Sequence, residues 1–273
     1  MAPSETPVLR FENVSVAFDG VPALLDVSFA AYASDTRVIL GAAGSGKTVL
    51  LKTALGLVRP DAGQVFIFEQ RIDTLKERDL IDLRSQMGML FQESALFDSL
   101  NIEENVAYPL ENQRSIKCPP EQIHPRVVEA LEFVELGGTL EKFPSELSGG
   151  MRRRAAIARA VVTEPRLVLY DSPTAGLDPI TAHTIIELLI KQRDVANTTT
   201  LVVTHRYQDG NLVANFRYNS EQGRLELARN GHGQGARTIF MVLREGRLVF
   251  EGDQDQLESS MDEYVSKFVK RRE

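Results

Sequence analysis

Cysteine is almost missing from this chain: Cys118 stands alone among 273 residues. No disulfide within the chain and no cysteine-cluster metal site can form, a usage that suits a reducing compartment. No apolar run reaches the ~18 residues of a membrane-spanning helix, and Met1 to Pro7 lack the basic-then-apolar order of a secretion signal. The chain is therefore expected to be soluble by itself, with any membrane role exercised through a partner. Positive charge is also in deficit, since 31 Lys+Arg against 38 Asp+Glu leaves −7 with histidine neutral. That balance argues against attachment to nucleic acid through a broad basic field, although local basic patches remain open.

What is there is ordinary globular usage, 43% hydrophobic and 25% charged, which excludes disorder and collagen. At roughly 150 residues per domain the length fits about two domains, or one large α/β domain with subdomains. Val8 to Val16 and Ala23 to Tyr32, separated by Asp19-Gly20, read as antiparallel strands. Thr36 to Leu40 is an apolar strand running into a glycine-rich stretch, and Thr48 to Leu57 carries apolar residues at helical spacing. A strand at Gln64 to Phe68, an amphipathic segment at Leu75 to Leu83 and a strand at Met87 to Phe91 follow. Residues 95–163 read as mostly helical, broken near Lys117 to Pro120. Strands at Leu167 to Tyr170 and Thr199 to Val203 bracket a helix at Thr181 to Arg193, the order of a parallel sheet. Beyond His205 the pattern weakens; hairpins are expected at Asn215 to Leu227 and, more clearly, at Thr238 to Glu251.

Three segments carry chemistry. Gly41-Ala42-Ala43-Gly44-Ser45-Gly46-Lys47-Thr48 fits the eight-residue phosphate-loop pattern, after a strand and before a helix. Its glycines let backbone N–H groups converge on phosphate oxygens, Lys47 adds a point charge, and the Thr48 hydroxyl is placed to ligate Mg²⁺. Leu167 to Asp171 is a buried-type strand ending in a carboxylate, at the sheet edge where α/β folds bind ligands; by itself such an aspartate is as readily a turn former or a helix cap. Leu147-Ser148-Gly149-Gly150 opens a helix whose N-terminal turn is small enough to embrace an anion, and in isolation an N-cap is the plainer reading.

In this order the motifs resemble the nucleotide-binding subunit of an ABC transporter over nearly the whole chain. The resemblance takes in the phosphate loop, Gln92 as a loop glutamine, the signature Leu147 to Met151, Asp171, the Ala175-Gly176-Leu177-Asp178 loop and His205. The strings Phe91 to Leu100, Glu104 to Leu110 and Leu147 to Arg154 are similar to the Mla/Mkl branch, whose members work with an Mce-linked permease in phospholipid transport. The implied fold is α/β: a P-loop NTPase ABC-type nucleotide-binding domain with a parallel RecA-like core sheet, an antiparallel β subdomain and a helical signature subdomain. One domain over residues 1–273 is expected, with core at about 8–94 and 164–253, helices at 95–163, an atypical insertion at 208–237 and a C-terminal helix at 254–273.

The resemblance also implies roles. Phe18 stacks on adenine; Gly41 to Thr48 and Val49 hold ATP; Thr48, Gln92 and Asp171 hold Mg²⁺. His205 contacts the γ-phosphate, while Ser148, Gly149, Gly150 and Asp178 complete the site across a dimer. The implied partners are a second ATPase copy, identical or different, an integral-membrane permease of the MlaE-like kind and an Mce-domain protein, on the cytoplasmic face of the cell membrane. Nucleic acid is not expected, because the chain carries neither a long coiled-coil insertion nor a second ATPase domain.

Two departures stand out. Where the family usually places a glutamate that polarises the attacking water, this chain has Ser172. Serine is no base near neutral pH, and a positioned general base is worth ~100- to 10,000-fold. Binding is expected to survive and hydrolysis to be slow, unless a partner with a normal sequence supplies the glutamate. Tyr207 to Arg237 is polar and glycine-rich, read here as a solvated insertion, with a regulatory or partner contact as the alternative. Two other functions stay open: an ATP-gated binding module without turnover, and the ATPase of an importer for another solute.

Overall fold

The alternation of Leu9, Phe11, Val14 and Val16 with polar neighbours builds β1 (Leu9–Phe18), which pairs antiparallel with β2 (Val21–Ala31). Both strands run right up to a two-residue turn, further than the sequence pattern indicates, because Asp19 and Gly20 each adopt positive φ, the requirement of a tight hairpin. The computed structural model describes residues 6–113, 115–228 and 237–270. Next comes β3 (Thr36–Gly41), buried along its whole length as a central parallel strand must be, and α1 (Lys47–Ala54). The strands β4 (Ala62–Ile67) and β5 (Gln70–Arg71) complete an antiparallel sheet of order β2-β1-β4-β5. Then follow α2 (Glu77–Arg84) and β6 (Met87–Leu90).

Residues 95–101 are not helical, against the expectation. The first helix of this region is α3 (Ile102–Asn112), set by a capping box in which Asn101 and Glu104 exchange backbone hydrogen bonds. It is followed by α4 (Pro120–Phe133), begun by proline at its first position, and α5 (Gly149–Val161). β7 (Leu167–Asp171), α6 (Pro179–Ala196) and β8 (Thr199–Thr204) follow. Gly88 in β6 lies so close to the Ala160 carbonyl of α5 that a β-carbon there would overlap it.

Past His205 the described residues are folded elements and not a solvated loop, and the hairpin expected over Asn215 to Leu227 is present. They form α7 (Tyr207–Asn215) and a hairpin of β9 (Phe216–Asn219) and β10 (Arg224–Leu227); residues 229–236 of that segment lie outside the described residues. The hairpin sits where it does because α6 offers a fully buried arginine. Arg193 donates to the carbonyls of Val213 (2.6 Å) and Phe216 (2.9 Å) and pairs with Asp194 (2.6 Å), whose other oxygen accepts from the Tyr218 N–H at 2.8 Å. A polar composition concealed this packing, since the Arg193–Asp194 pair that answers two of its carbonyls and one of its N–H groups lies on the preceding helix.

The chain closes with β11 (Thr238–Arg244), β12 (Arg247–Gly252), α8 (Gln254–Glu258) and α9 (Glu263–Lys270). The single helix expected over 254–273 is thus two, separated at Ser259 to Asp262; residues 271–273 lie outside the described residues. Asp253 caps α8, and the Asp262 carboxylate accepts from the Tyr264 and Val265 N–H groups at the start of α9. Val265 is buried against the chain's own core.

The main sheet has the order β12-β11-β3-β8-β7-β6, parallel from β11 to β6 with β12 antiparallel at one edge. Alternate residues of its central strands enter two cores. Val38, Leu40, Val168, Tyr170 and Val202 face the helical side with α3 to α6, whereas Ile39, Leu167, Leu169, Leu201 and Val203 face the antiparallel sheet and α1. Replacing Arg193 by methionine keeps the volume but leaves the Val213 and Phe216 carbonyls without their donor and takes from Asp194 one of its two arginine partners, Arg217 being the other, so Arg193→Met is expected to lower unfolding free energy by about 2 kcal/mol. Urea denaturation of the full chain measures it as a lower midpoint at unchanged slope.

Candidate functional site

Four strand ends meet along one edge of the main sheet. The register pairs Leu40 of β3 with Thr204 of β8, Val203 with Asp171 of β7, and Tyr170 with Leu90 of β6. The residues just past these ends are therefore neighbours: the Gly41 to Lys47 loop, His205, Ser172 and Gln92. This carboxyl edge is where open α/β sheets bind ligands.

The loop that leaves β3 turns into α1 through Gly46, whose φ of 102° places its α-carbon against the Ala23 carbonyl of β2. No side chain fits there, and the left-handed backbone favours glycine in any case. Inside the turn the Lys47 ammonium donates to the carbonyls of Gly41 (2.9 Å) and Ala42 (2.7 Å) and to Ser45 Oγ (3.3 Å). Burial pushes the Lys47 pKa below its ordinary value, and the negative charge of Asp171 partly opposes that shift. The outer side of the loop is tied to the C-terminal helix: the Ala42 N–H donates to the Tyr264 hydroxyl at 3.2 Å, and that hydroxyl donates to the Leu243 carbonyl at 3.3 Å.

Asp171 ends β7 at 3% exposure. Its Oδ1 accepts from the Ser172 hydroxyl at 3.2 Å, while Ser172, at a positive φ of 50°, donates its N–H to the Val203 carbonyl at 2.8 Å. Ser172 is thus spent on its neighbour and its backbone. Beyond it, Thr174 Oγ1 donates to the buried Asp209 carboxylate at 2.6 Å, which also accepts from Thr204 Oγ1 at 2.7 Å. His205 is exposed directly after that threonine. Gln92 is exposed in the turn after β6 and is fixed by its carbonyl, which accepts from Arg153.

Ser148 is the N-cap of α5, accepting from the Met151 N–H at 3.2 Å, with Gly149 and Gly150 in the first turn against Leu177 and Thr181. Asp178 caps α6 in the same way, accepting from the Ile180 and Thr181 N–H groups at 3.0 Å; the Thr181 bonds, with Ile180's, hold its carboxyl below the usual range. The phosphate loop, Lys47 and Asp171 are brought into one site, whereas the Ser148 turn adjoins the Asp178 segment. Phe18 lies at the hairpin tip, 48% exposed as a residue.

Among the described residues no three His, Cys, Asp or Glu side chains gather as a metal site. The Asp171 carboxylate, the Thr48 hydroxyl and the Gln92 amide are an oxygen set that fits magnesium held chiefly by water and phosphate.

Residues 24–175, more than half of the chain, match the ABC transporter family. The chain belongs to that family. Among curated ABC relatives, Mkl of Mycobacterium leprae, named as a ribonucleotide transport ATP-binding protein, is 40% identical over 66% of this chain and 51% of its own length. MlaF of Haemophilus influenzae, named as an intermembrane phospholipid transport ATP-binding protein, is 34% identical over 85% of this chain and 78% of its own. The match to the Mkl proteins spans about half of their length. Among solved structures, the dimeric ATP-binding cassette MJ0796 bound to ADP and Pi superposes with a TM-score of 0.74 at 28% identity, covering 90% of this chain and 98% of that one.

Sequence reasoning missed three residues that brace the loops of this edge from behind: Arg153, Asp209 and Tyr264. Arg153 lies in a run of three arginines that give no sign of which one turns inward, Asp209 lies in a stretch read as solvated, and Tyr264 is 222 positions from its partner Ala42. Adding one methyl group at Gly46 forces strain and overlap together. Gly46→Ala is expected to destabilise the chain by about 2 kcal/mol or more, read as a melting midpoint lower by ~4 °C or more.

Proposed function

We propose that this chain is the ATP-binding subunit of a bacterial ABC transporter, in which MgATP held at the phosphate loop draws two subunits together. The observation that carries the reading is the arrangement of the Gly41 to Thr48 loop, His205, Asp171 and Gln92 along one edge of four adjoining parallel strands. In this reading Lys47 trades its bonds to the Gly41 and Ala42 carbonyls for phosphate oxygens, and the N–H groups that start α1, through Thr48 and Val49, cradle the same oxygens. Thr48, Asp171 and Gln92 would hold magnesium, whose charge would offset that of the phosphates. The exposed ring of Phe18 offers adenine a face to stack on. Ser148, Gly149, Gly150 and Asp178 of a second subunit, identical or different, cover the nucleotide from the other side.

Turnover is a separate matter. The Ser172 hydroxyl donates to Asp171 and cannot accept a proton from water near neutral pH. We therefore read the site as binding and closing well and hydrolysing slowly, with exposed His205 the polar group left beside it. Backbone strain does not forbid the family's glutamate here, because Glu69, Glu135, Glu164 and Glu245 all adopt positive φ in this chain.

For cargo the two relatives' names differ, ribonucleotide for Mkl and phospholipid for MlaF. The MlaF match runs over more of this chain, and it supports phospholipid transport with an MlaE-like permease and an Mce-domain protein. No described helix is long and apolar enough to cross a membrane, so attachment at the cytoplasmic face would go through that permease. The domain reading, 8–94 and 164–253 as core with 95–163 as signature subdomain, belongs to the same proposal. A module that responds to ATP without consuming it is the second reading, favoured by Ser172; an importer for another solute differs only in its membrane partner.

Titration with MgATP and phosphate-release kinetics on one sample test this. Micromolar or tighter binding that Lys47→Ala abolishes is expected, with slow release. Ser172→Glu is expected to raise the rate by about 100-fold or more while affinity stays within a few fold. Absence of MgATP binding, alone or with co-purified subunits, overturns the assignment, and release at ordinary family rates by the unaltered chain overturns the role given to Ser172. Identification of every co-purified subunit decides between phospholipid and other cargo.

A further inference from the structure

Arg153 lies in the second turn of α5, and its side chain runs inward to the sheet edge, leaving the residue 6% exposed. Its two terminal nitrogens divide between two loops. Nη1 donates to the carbonyls of Phe91 (3.2 Å) and Gln92, and Nη2 donates to the carbonyl of Ala175 at 3.3 Å. Nε has no acceptor among the described residues. Burying a guanidinium is unfavourable, and here the negative charge of Asp171 and the three loop carbonyls offset part of that cost. The helix does not need this ion for itself: Ser148 caps it, Arg152 answers the Leu147 carbonyl, and Arg154 answers the Val134 carbonyl.

The geometry gives Arg153 another use. The Gln92 loop follows β6 and the Ala175 loop follows β7, strands paired through Leu90 and Tyr170. A rigid planar fork rooted in the Ser148 helix spans the gap between the two loops. A shift of that helix by ~1 Å against the sheet would carry one or both loops along or break bonds already at 3.2–3.3 Å. We propose that Arg153 is a positioning residue that makes the Ser148 turn, the Gln92 loop and the Ala175 to Asp178 loop move as one unit. The inference rests on the nucleotide reading of this edge for its purpose, though not for its physics. Whatever engages the Ser148 turn from outside is then felt at once at Gln92 and at the segment leaving Asp171. Lysine cannot substitute, because a single ammonium on a flexible stem holds one loop or the other without fixing the spacing between them.

Amide hydrogen exchange on the full chain, with and without MgATP, together with equilibrium binding of MgATP, tests this. In Arg153→Met the peptides covering 91–96 and 173–178 are expected to exchange about tenfold faster together, with β3, β7 and β8 unchanged. MgATP affinity is expected within about threefold of wild type, because the phosphate loop is untouched, while joint protection of the two loops by MgATP is lost. Arg153→Lys is expected to restore protection to one loop only, and it carries the test alone should the methionine variant fail to fold. Wild-type protection of both loops in either variant, or acceleration spread evenly over the central strands, overturns the proposal. If the wild-type chain binds no MgATP, the assignment in the preceding subsection fails, and the nucleotide-free exchange comparison still decides the role of Arg153.

Discussion

Parallel pairing of β3, β8, β7 and β6 is the constraint from which the rest of the molecule follows. In a parallel sheet every strand delivers its carboxyl end to the same edge, so loops far apart in sequence become neighbours without any contact of their own. Thr204, Asp171 and Leu90 are brought into line by hydrogen-bond register alone. Because both faces of such a sheet must be covered, alternate residues along each strand feed two cores. The antiparallel sheet and α1 close one face, and the helices from α3 to α6 close the other. Support for the edge therefore comes from both sides, and a loop there can be polar and thin without being loose.

Buried ions do the tying at this edge and around it. Arg193 holds the end of α7 and the start of β9, Asp209 joins Thr174 to Thr204, and Arg153 reaches across Gln92 and Ala175. Each of these side chains answers backbone or hydroxyl groups that hydrophobic contact cannot satisfy, and each sits where a loop must be held at a fixed spacing from another. An ion kept out of water in this way adds little net stability, but it is strongly selective among arrangements, since any other leaves it without partners.

Much of this was legible in the residues. The phosphate loop, the strand leading into it, the acidic strand end and the succession of strands and helices along the chain follow from local pattern, because each is specified by short-range geometry: glycine where φ is positive, apolar runs where both faces are covered. The cap at Ser148 was legible for the same reason. After His205 the hairpin was legible but α7 and the packing of the segment were not, because Arg193, on a helix before it, holds the end of α7 and the start of β9, and polar composition carries no trace of a partner elsewhere. The split of the last helix was hidden as well, since apolar spacing continues through Ser259 to Asp262 and only the Asp262 carboxylate, accepting from Tyr264 and Val265, marks a new start. Inward-turning Arg153 could not be told from Arg152 and Arg154, which have the same chemistry and differ only in angle around the helix.

Gly88 has a consequence of this kind. Its bare α-carbon lets the Ala160 carbonyl of α5 come down onto β6 with nothing between them. The distance of the Ser148-bearing helix from the sheet is therefore set by backbone meeting backbone, a hard stop with no softer neighbouring value. Sequence drift can retune the residues around that seam but cannot widen it gradually, for the smallest available change already forces the last turn of α5 and β6 apart.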